Sequence, residues 1–230
     1  MTAQAVEVHD GVYLIGSSTL TSPEDCCIYL LDLGDLVLID AGAGKSVPAL
    51  MENIDALGLG HQGITAVIAT HCHFDHIGGI PELKKRTGCQ VIAHALDAQA
   101  IESGDLLKTA ADWYNAEFPP TPVDYQLQEG REVLKFKKGE VLCLHTPGHT
   151  PGSIAVILDG SGQRVLFGQD IHGPFAESFG SSLPAWRKSM DILLGLKADI
   201  LCEGHYGIYR PEAEVTRYIS NYVKMYAKEG

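Results

Sequence analysis

Three histidines and one aspartate share six consecutive positions, and this cluster constrains the chain more than any other feature. Its members are His71, His73, Asp75 and His76. The cluster directly follows the apolar run 64–69, which predicts a buried strand, and precedes the glycine pair 78–79. Because alternate side chains of an extended segment lie on one face, His71 and His73 are expected to converge on one point. Asp75 and His76 follow where the chain turns, and are expected to serve a second point nearby.

A divalent cation would explain why four ionisable groups gather at the end of a buried strand. An isolated histidine is more often a surface residue or a hydrogen-bonded core residue. Four such groups buried together without a cation would lose hydration with little return in free energy. The cluster therefore predicts a metal site.

The composition is ordinary for a soluble globular protein. The 230 residues are 45% hydrophobic and 20% charged, and we expect a single domain over residues 1–230. The net charge of −12 opposes binding to nucleic acid or to anionic membranes, so the expected partner is a small-molecule substrate. The sequence shows no signal-peptide pattern, no CxxC pair among its six cysteines and no apolar run near the ~20 residues of a membrane helix. A cytoplasmic location is expected.

Apolar periodicity predicts a chain in which strands and helices are interspersed. Strands are predicted at 6–8, 12–15, 26–33, 36–39, 64–70, 90–93, 125–127, 132–136, 140–144, 154–158, 164–167 and 200–202. Helices are predicted at 46–57, 81–87, 97–103, 106–118, 183–196 and 211–228. The segment 106–118 contains Trp113, Tyr114 and Phe118, which we expect to pack in the core or in a lid, with a substrate wall as the alternative.

Three further candidate ligands follow predicted strands and lie among glycines. They are His149, Asp170 and His205. Each alone has an ordinary explanation, as a turn cap, a helix cap or a surface loop residue. Ligands from several strand ends can meet at one edge of a packed sheet, so together with the first cluster they predict one composite site. Asp40 also ends a predicted strand, and alone it is ambiguous between a turn former and a site residue.

The order of these residues resembles that of the metallo-β-lactamase superfamily. The pattern runs His71-x-His73-x-Asp75-His76, then His149, Asp170 and His205, with Asp40 matching the aspartate that precedes the motif in that family. The resemblance covers nearly the whole chain. It implies an α/β fold: an αβ/βα four-layer sandwich of two mixed sheets with helices outside and the site at one edge.

The resemblance also implies a role for each residue. His71, His73 and His149 would bind a first metal ion; Asp75, His76 and His205 would bind a second; Asp170 would bridge both; Asp40 would orient a ligand or the metal loop. These ligand types suit zinc, iron or manganese, and two divalent ions, with zinc favoured, are the expected cofactors. Two such ions ~3.5–4 Å apart can share a hydroxide that attacks a substrate carbonyl. The expected proton donor is His172 or Tyr206, although His172 has the ordinary alternative of shaping a loop.

Within the superfamily, the full ligand set is similar to that of glyoxalase II, lactonases and related hydrolases. Carbapenem-hydrolysing lactamases have a cysteine where Asp170 stands. Glyoxalase II has a basic and aromatic segment after this aspartate and a helical C-terminal domain for glutathione, whereas this chain has the sequence IHGPF at 171–175 and ends after one helix. Quorum-sensing lactonases use a tyrosine that is not found soon after Asp170. We therefore expect hydrolysis of a small ester, thioester or lactone in a pocket between the metal loop, segment 171–183 and Trp113.

Four other functions are alternatives to hydrolysis. His71, His149 and Asp170 alone would suit mononuclear iron, as in the persulfide dioxygenases of the superfamily, but the arginine-containing segment of those enzymes is missing after Asp170. A nuclease fits poorly with a net charge of −12. A non-enzymatic metal-binding protein would be expected to lose ligands, and the set is complete. Flavodiiron reductases replace a histidine of the motif with glutamate, which His73 excludes.

Overall fold

Two β-sheets pack face to face, and helices cover their outer faces, in a computed structural model that describes residues 5–128 and 130–227. The first sheet contains, in spatial order, β1 (Val6–His9), β2 (Val12–Gly16), β3 (Ile28–Asp32), β4 (Leu36–Ile39), β5 (Ile64–Ile68), β6 (Gln90–His94) and β7 (Tyr125–Leu127). The second contains β8 (Arg131–Lys135), β9 (Glu140–His145), β10 (Ile154–Gly160), β11 (Gln163–Phe167), β12 (Ile200–Cys202) and β13 (Ile208–Tyr209), with β8 and β13 at its edges. Both sheets are mixed.

In residues 5–128 and 130–227, six α-helices accompany the sheets. They are α1 (Val47–Ala56), α2 (Phe74–Ile77), α3 (Ile80–Thr87), α4 (Ala95–Ser103), α5 (Leu183–Gly195) and α6 (Glu212–Tyr226). Three short 3₁₀ helices span Gly60–Gln62, Ala111–Tyr114 and Glu177–Phe179. Among the residues that the structure describes, none of these helices is long and apolar enough to cross a membrane.

Three layers of apolar side chains hold the four structural layers together. The alternation of side chains along β3 explains this arrangement: Tyr29 and Leu31 face the second sheet, whereas Leu30 faces α1. Between the sheets, the ring of Tyr29 packs edge-on against that of Phe167, with centroids 5.3 Å apart. A third cluster joins the outer face of the second sheet to α5 and α6. The predicted four-layer sandwich is thereby confirmed.

Parallel strands bring the candidate residues to one edge of the sandwich. Strands β4, β5, β6 and β7 are mutually parallel, as are β11 and β12, so the carboxyl ends within each group point the same way. Asp40 directly follows β4, and the histidine cluster follows β5 after a short link. In the second sheet, Asp170 comes shortly after β11 and His205 shortly after β12.

The predicted helix at 106–118 is wrong. The segment forms turns and only one 3₁₀ helix, Ala111–Tyr114. Ala110 and Asn115 have φ angles of 53° and 49° at the two ends of this short helix, which is incompatible with a continuous α-helix. The Asp105 carboxylate also accepts hydrogen bonds from the amides of residues 107 and 108, which stabilises a turn.

Other differences lie next to the candidate site. The predicted strand 26–33 begins at Ile28, because the amides of Cys26 and Cys27 donate to the carbonyl oxygens of Asp75 and Gly204 instead of to a neighbouring strand. The helix α2 and the strand β13 were not predicted. The terminal helix spans Glu212–Tyr226, and Lys228, the predicted end, lies outside the described residues.

A stacked pair of histidines connects the two sheets. His94 at the end of β6 and His145 at the end of β9 have ring centroids 3.9 Å apart and nearly parallel planes. His94 is 4% exposed, and its Nδ1 accepts a hydrogen bond from the amide of Leu96 at the start of α4. Burial, and secondarily repulsion from His145, lower the pKa of His94 to about 4.

We expect His94 to make the fold acid-sensitive. In the unfolded chain a histidine has a pKa of about 6.5, so between pH 6.5 and 4 the unfolded state binds more protons than the folded state. The free energy of unfolding therefore decreases as the pH is lowered through this range, by up to about 3 kcal/mol. His94→Asn keeps an N-capping side chain for α4 and should flatten this dependence. Denaturant unfolding at several pH values checks this, with His61→Asn as the exposed control. An unchanged slope in His94→Asn would contradict the prediction.

Candidate metal centre

The histidine cluster lies on a loop that becomes one helical turn. His73 immediately precedes α2 in extended backbone, and His71 lies two residues earlier in the bend after β5, whereas Asp75 and His76 lie within α2. All four side chains are buried, with exposed fractions between 0% and 6%. The loop packs directly on segment 41–43, since a Cβ atom at Gly78 would lie 2.7 Å from the carbonyl carbon of Ala43. This close approach requires glycine.

The first group consists of three imidazoles from both halves of the chain. The nitrogen atoms of His71, His73 and His149 lie within 4.8 Å of one another. Nδ1 of His73 and Nε2 of His149 are 2.9 Å apart, and Nδ1 of His149 lies 2.8 Å from the carbonyl oxygen of Pro174. Burial lowers the pKa of all three histidines, that of His149 to about 4. They are therefore neutral near pH 7, which is the form that binds cations.

The second group contains one carboxylate and two imidazoles. Ligand atoms of Asp75, His76 and His205 also lie within 4.8 Å of one another. Oδ2 of Asp75 is 3.1 Å from Nε2 of His205 and 3.5 Å from Nε2 of His76. Burial alone would lower the pKa of His205, but Asp170 and Asp75 raise it to about 10. Asp75 and Asp170 therefore favour a positive charge in this group.

Asp170 lies between the two groups. Its Oδ2 is 3.4 Å from Nε2 of His149 and 3.9 Å from Nε2 of His71. Its Oδ1 faces the other way, 3.3 Å from Nε2 of His76 and 3.5 Å from Nε2 of His205. One carboxylate thus presents one oxygen to each group.

The chemistry of the donors fits divalent cations. Nε2 of His71, Nε2 of His73 and Oδ1 of Asp170 are buried without a hydrogen-bond partner, which is costly unless another ligand satisfies them. Although burial opposes ionisation, His76 and His205 hold the pKa of Asp170 well below its ordinary value. Imidazole nitrogens and carboxylate oxygens are ligands of zinc, iron and manganese.

Asp40 orients the second group through a contact with the ring of His76. Its side chain is fully buried, and Oδ2 lies 2.7 Å from Nδ1 of His76. The same carboxylate accepts hydrogen bonds from the amide and hydroxyl of Thr70, each 2.8 Å long, and from the side-chain amide of Gln169. Asp40 therefore connects the loop after β5 with the loop after β11.

His172 is oriented by a buried glutamate. Its Nδ1 lies 2.9 Å from Oε1 of Glu203, whose other oxygen accepts hydrogen bonds from the amides of His205 and Tyr206. The ring of His172 lies beside those of His205 and Tyr206, with centroids 5.2 and 4.8 Å away. Glu203 was not identified from the sequence, although it follows a buried strand directly, as Asp40 does.

Asp97 connects the loops of the first group and was also missed. Its Oδ2 accepts hydrogen bonds from the amide of Cys72 (3.0 Å) and the hydroxyl of Thr150 (2.6 Å), and Oδ1 accepts from the amide of Gly152 (2.7 Å). Cys72 lies between His71 and His73, and Thr150 follows His149. Nothing in the sequence distinguishes Asp97 from an ordinary acidic residue in the first turn of a helix.

We expect Asp97→Asn to weaken cation binding by the first group about 10- to 100-fold, as is typical when a residue that orients ligands is changed. The amide puts an N–H group where the carboxylate accepts a hydrogen bond, so one of the two loops loses its anchor. Competition between the protein and a zinc chelator measures this affinity. Glu117→Gln, the same change at an exposed position, is the control. Equal affinities in the two variants would contradict the prediction.

A cavity of about 340 Å³ opens over both groups. Its lining comprises Ser18, His73, Asp75, Ala110, Trp113, Tyr114, Asp170, His172, Pro174, Phe179, His205 and Tyr206. Trp113 and Tyr114 line this cavity, in agreement with the alternative interpretation as a wall. Tyr114 also packs against the core, where its ring lies 5.4 Å from that of Phe74, in agreement with the prediction of core packing. Phe118 is buried, as predicted. His71, His76 and His149 lie deeper and do not line the cavity.

Comparisons with known proteins agree with the fold. A sequence model of the metallo-beta-lactamase superfamily matches residues 23–205. An acyl-coenzyme A thioesterase, MBLAC2 of Gallus gallus, is 29% identical over 217 residues, which cover 82% of this chain and 74% of that protein. A probable metallo-hydrolase of Methanocaldococcus jannaschii is 32% identical over 125 residues, 54% of this chain, and the chain spans 58% of its length.

Solved structures show the same fold. A metallo-beta-lactamase from Cronobacter sakazakii, mutated in its HARLDQ motif, superposes with a TM-score of 0.81 at 24% sequence identity, covering 99% of this chain and 96% of that one. The family match covers most of the chain, including the histidine cluster, His149, Asp170 and His205. The chain belongs to the metallo-beta-lactamase superfamily.

Proposed function

We propose that the protein hydrolyses an ester, thioester or lactone, with two divalent cations, zinc in preference to iron or manganese, held by the two groups. The observation that carries this proposal is the position of Asp170, whose two oxygens face the two groups separately. The first ion would be held by His71, His73 and His149, the second by Asp75, His76 and His205, and both by Asp170. Divalent cations in such a site supply Lewis acidity and lower the pKa of water to near neutrality.

The net reaction consumes only the substrate and water, and requires no further cofactor. The oxygen of water forms a bond to the acyl carbon, the bond from that carbon to oxygen or sulfur breaks, and the leaving group receives a proton. Asp40 contributes by fixing the ring of His76 through Nδ1, so that Nε2 points at Asp75 and Asp170. The carbonyl of Pro174 fixes His149 in the same way.

His172 is the proposed source of the proton for the leaving group. The hydrogen bond to Glu203 occupies Nδ1, which leaves Nε2 available for exchange. His172 also lines the cavity, and one of its ring nitrogens lies within 4.8 Å of ligand atoms of Asp170 and His205. Tyr206, the alternative donor, lines the same cavity but is 59% exposed, which favours His172.

The functions described for two relatives support a hydrolytic reaction. The Gallus gallus relative is described as a thioesterase, and the archaeal relative as a probable metallo-hydrolase. The bridging position is held by Asp170, where carbapenem-hydrolysing lactamases have a cysteine, and this favours esters and thioesters over β-lactams. Asp75 and Asp170, at the floor of the cavity where the reaction is proposed to take place, are buried.

A kinetic comparison of zinc-, manganese- and iron-loaded protein tests the proposal. The substrates are a panel of small esters, thioesters and lactones, with hydrolysis measured by acid release. In parallel, oxygen consumption is measured with glutathione persulfide. We expect hydrolysis of at least one class by the zinc form. Oxygen consumption by the iron form together with no hydrolysis of any panel member would replace the proposal with a persulfide dioxygenase.

A further inference from the structure

Aromatic side chains form much of the cavity wall above the polar site. On the side of the first group, the ring of Phe179 packs against that of His73, with centroids 4.3 Å apart, and Trp113 packs against Phe179 at 4.9 Å. On the side of the second group, Tyr206 packs against His172. Trp113 and Tyr206 are each 59% exposed, which is unusual for residues of this size. Exposed aromatic faces at the mouth of a polar site are suited to hold an apolar ring.

The same wall offers no fixed positive side chain to a substrate. Among the residues that the structure describes, the lining of the cavity contains neither lysine nor arginine. Besides two tyrosines, its ionisable members are two carboxylates, Asp75 and Asp170, and three histidines. The chain as a whole carries a net charge of −12. The two proposed cations would lie at the floor of the cavity. Negative charges that a substrate carries far from its carbonyl carbon, as on a bulky thiol, would therefore find no cationic side chain at the rim.

From these two observations, we propose that the cavity selects uncharged acyl substrates that carry an aromatic ring, over thioesters of anionic thiols such as glutathione or coenzyme A. This inference rests on the proposed hydrolase function. The ring packs against Trp113 and Phe179, and this places the carbonyl carbon over the polar floor at Asp170. At about 340 Å³ the cavity is near the lower end of the ~300–1,000 Å³ range of ligand pockets, which suits a small aryl ester or thioester.

Thioesters of one acyl group with three different thiols test the effect of the charge of the thiol, because the bond that is hydrolysed is the same in all three. The probes are the phenylacetyl thioesters of N-acetylcysteamine, which is uncharged, of glutathione and of coenzyme A. We expect kcat/KM to be about 10-fold higher or more for the uncharged thioester, the scale of discrimination that pocket contacts provide. The acetyl thioester of N-acetylcysteamine should be hydrolysed less efficiently than its phenylacetyl counterpart. Preference for glutathione or coenzyme A would overturn the inference and leave the hydrolase function standing.

Two variants test the wall itself. Trp113→Ala should reduce kcat/KM for the phenylacetyl probe about 10-fold, mainly by raising KM, and should affect the acetyl probe much less. Leu107→Ala is the matched control, because Leu107 is 60% exposed in the same segment and does not line the cavity. Ser18→Arg places a cation at the rim and should improve hydrolysis of the glutathione thioester. Equal effects of Trp113→Ala on both probes would contradict the role of the wall.

A binding measurement keeps the inference testable if no probe is hydrolysed. Phenylacetamide resembles the acyl part of the substrate and carries no charge. Titration with phenylacetamide should change the tryptophan fluorescence of the wild type, whereas acetamide should not. The change should be lost in Trp113→Phe, because the other tryptophan, Trp186, is 2% exposed and lies outside this cavity. No response to phenylacetamide at concentrations up to its solubility would overturn the inference independently of catalysis.

Discussion

Replacing Asp170 with alanine is expected to remove bound metal from both groups and to reduce kcat/KM by about 10³-fold or more, a loss of roughly 4 kcal/mol of transition-state stabilisation. The physical reason is that each oxygen of this carboxylate faces a different group of histidines. Without it, the first group keeps three neutral imidazoles and no negative charge, and the second keeps one carboxylate. Elemental analysis after gel filtration, combined with hydrolysis rates, measures both losses.

His205→Ala is the matched comparison for Asp170→Ala. His205 contributes only to the second group, and it is the most exposed of the proposed ligands, so its loss should release one ion and leave the first group occupied. Circular dichroism should show that both variants keep the fold. Loss of a single ion in both variants would contradict the bridging position of Asp170.

Asp40→Ala is expected to lower the free energy of unfolding by about 3–5 kcal/mol, as for other broken buried ion pairs, and kcat/KM by about 10- to 100-fold. The carboxylate accepts hydrogen bonds from the backbone and side chain of Thr70, from His76 and from Gln169, and all of these donors would be left buried without a partner. In addition, Asp40 has a φ of 63°, a conformation that alanine adopts less readily than aspartate or asparagine. Denaturant unfolding and steady-state kinetics measure the two effects.

Asp40→Asn separates the contribution of the backbone from that of the charge. Asparagine tolerates the left-handed conformation and keeps one acceptor for Thr70, so this variant should lose less stability than the alanine variant. It cannot accept from all the same donors, and the orientation of His76 should still be impaired. Wild-type activity and metal content in both variants would show that Asp40 has no part in the site.

Much of the site could be predicted because its signal is local. The cluster at 71–76 concentrates ligand residues at the end of one apolar strand. Asp170 and His205 are likewise single ligand residues shortly after an apolar strand. The positions of most strands could be predicted from apolar periodicity, because the alternation of apolar and polar side chains is visible within a few residues of sequence. The meeting of these residues was expected because ligands from several strand ends can gather at one edge of a packed sheet, and because of the resemblance to the superfamily.

The remaining features depend on contacts between residues distant in sequence. Asp97 is a functional candidate only because its carboxylate accepts hydrogen bonds from Cys72 and Thr150. These two residues lie 25 positions before it and 53 positions after it in the sequence. The error at 106–118 has a similar cause, because positive φ angles at Ala110 and Asn115 override the helix propensity of the segment. The exposed position of Trp113 at the cavity mouth depends on that irregular backbone and could not be read from a helical pattern.

The number of divalent ions bound by one chain tests the central proposal most directly. Metal-free protein is titrated with zinc, and bound metal is determined by elemental analysis after removal of the excess. The two groups joined by Asp170 predict two ions per chain, with the second lost selectively in His205→Ala. If the protein is saturated by a single tightly bound ion in the titration with zinc, and also in titrations with manganese and with iron, the two-cation site is contradicted.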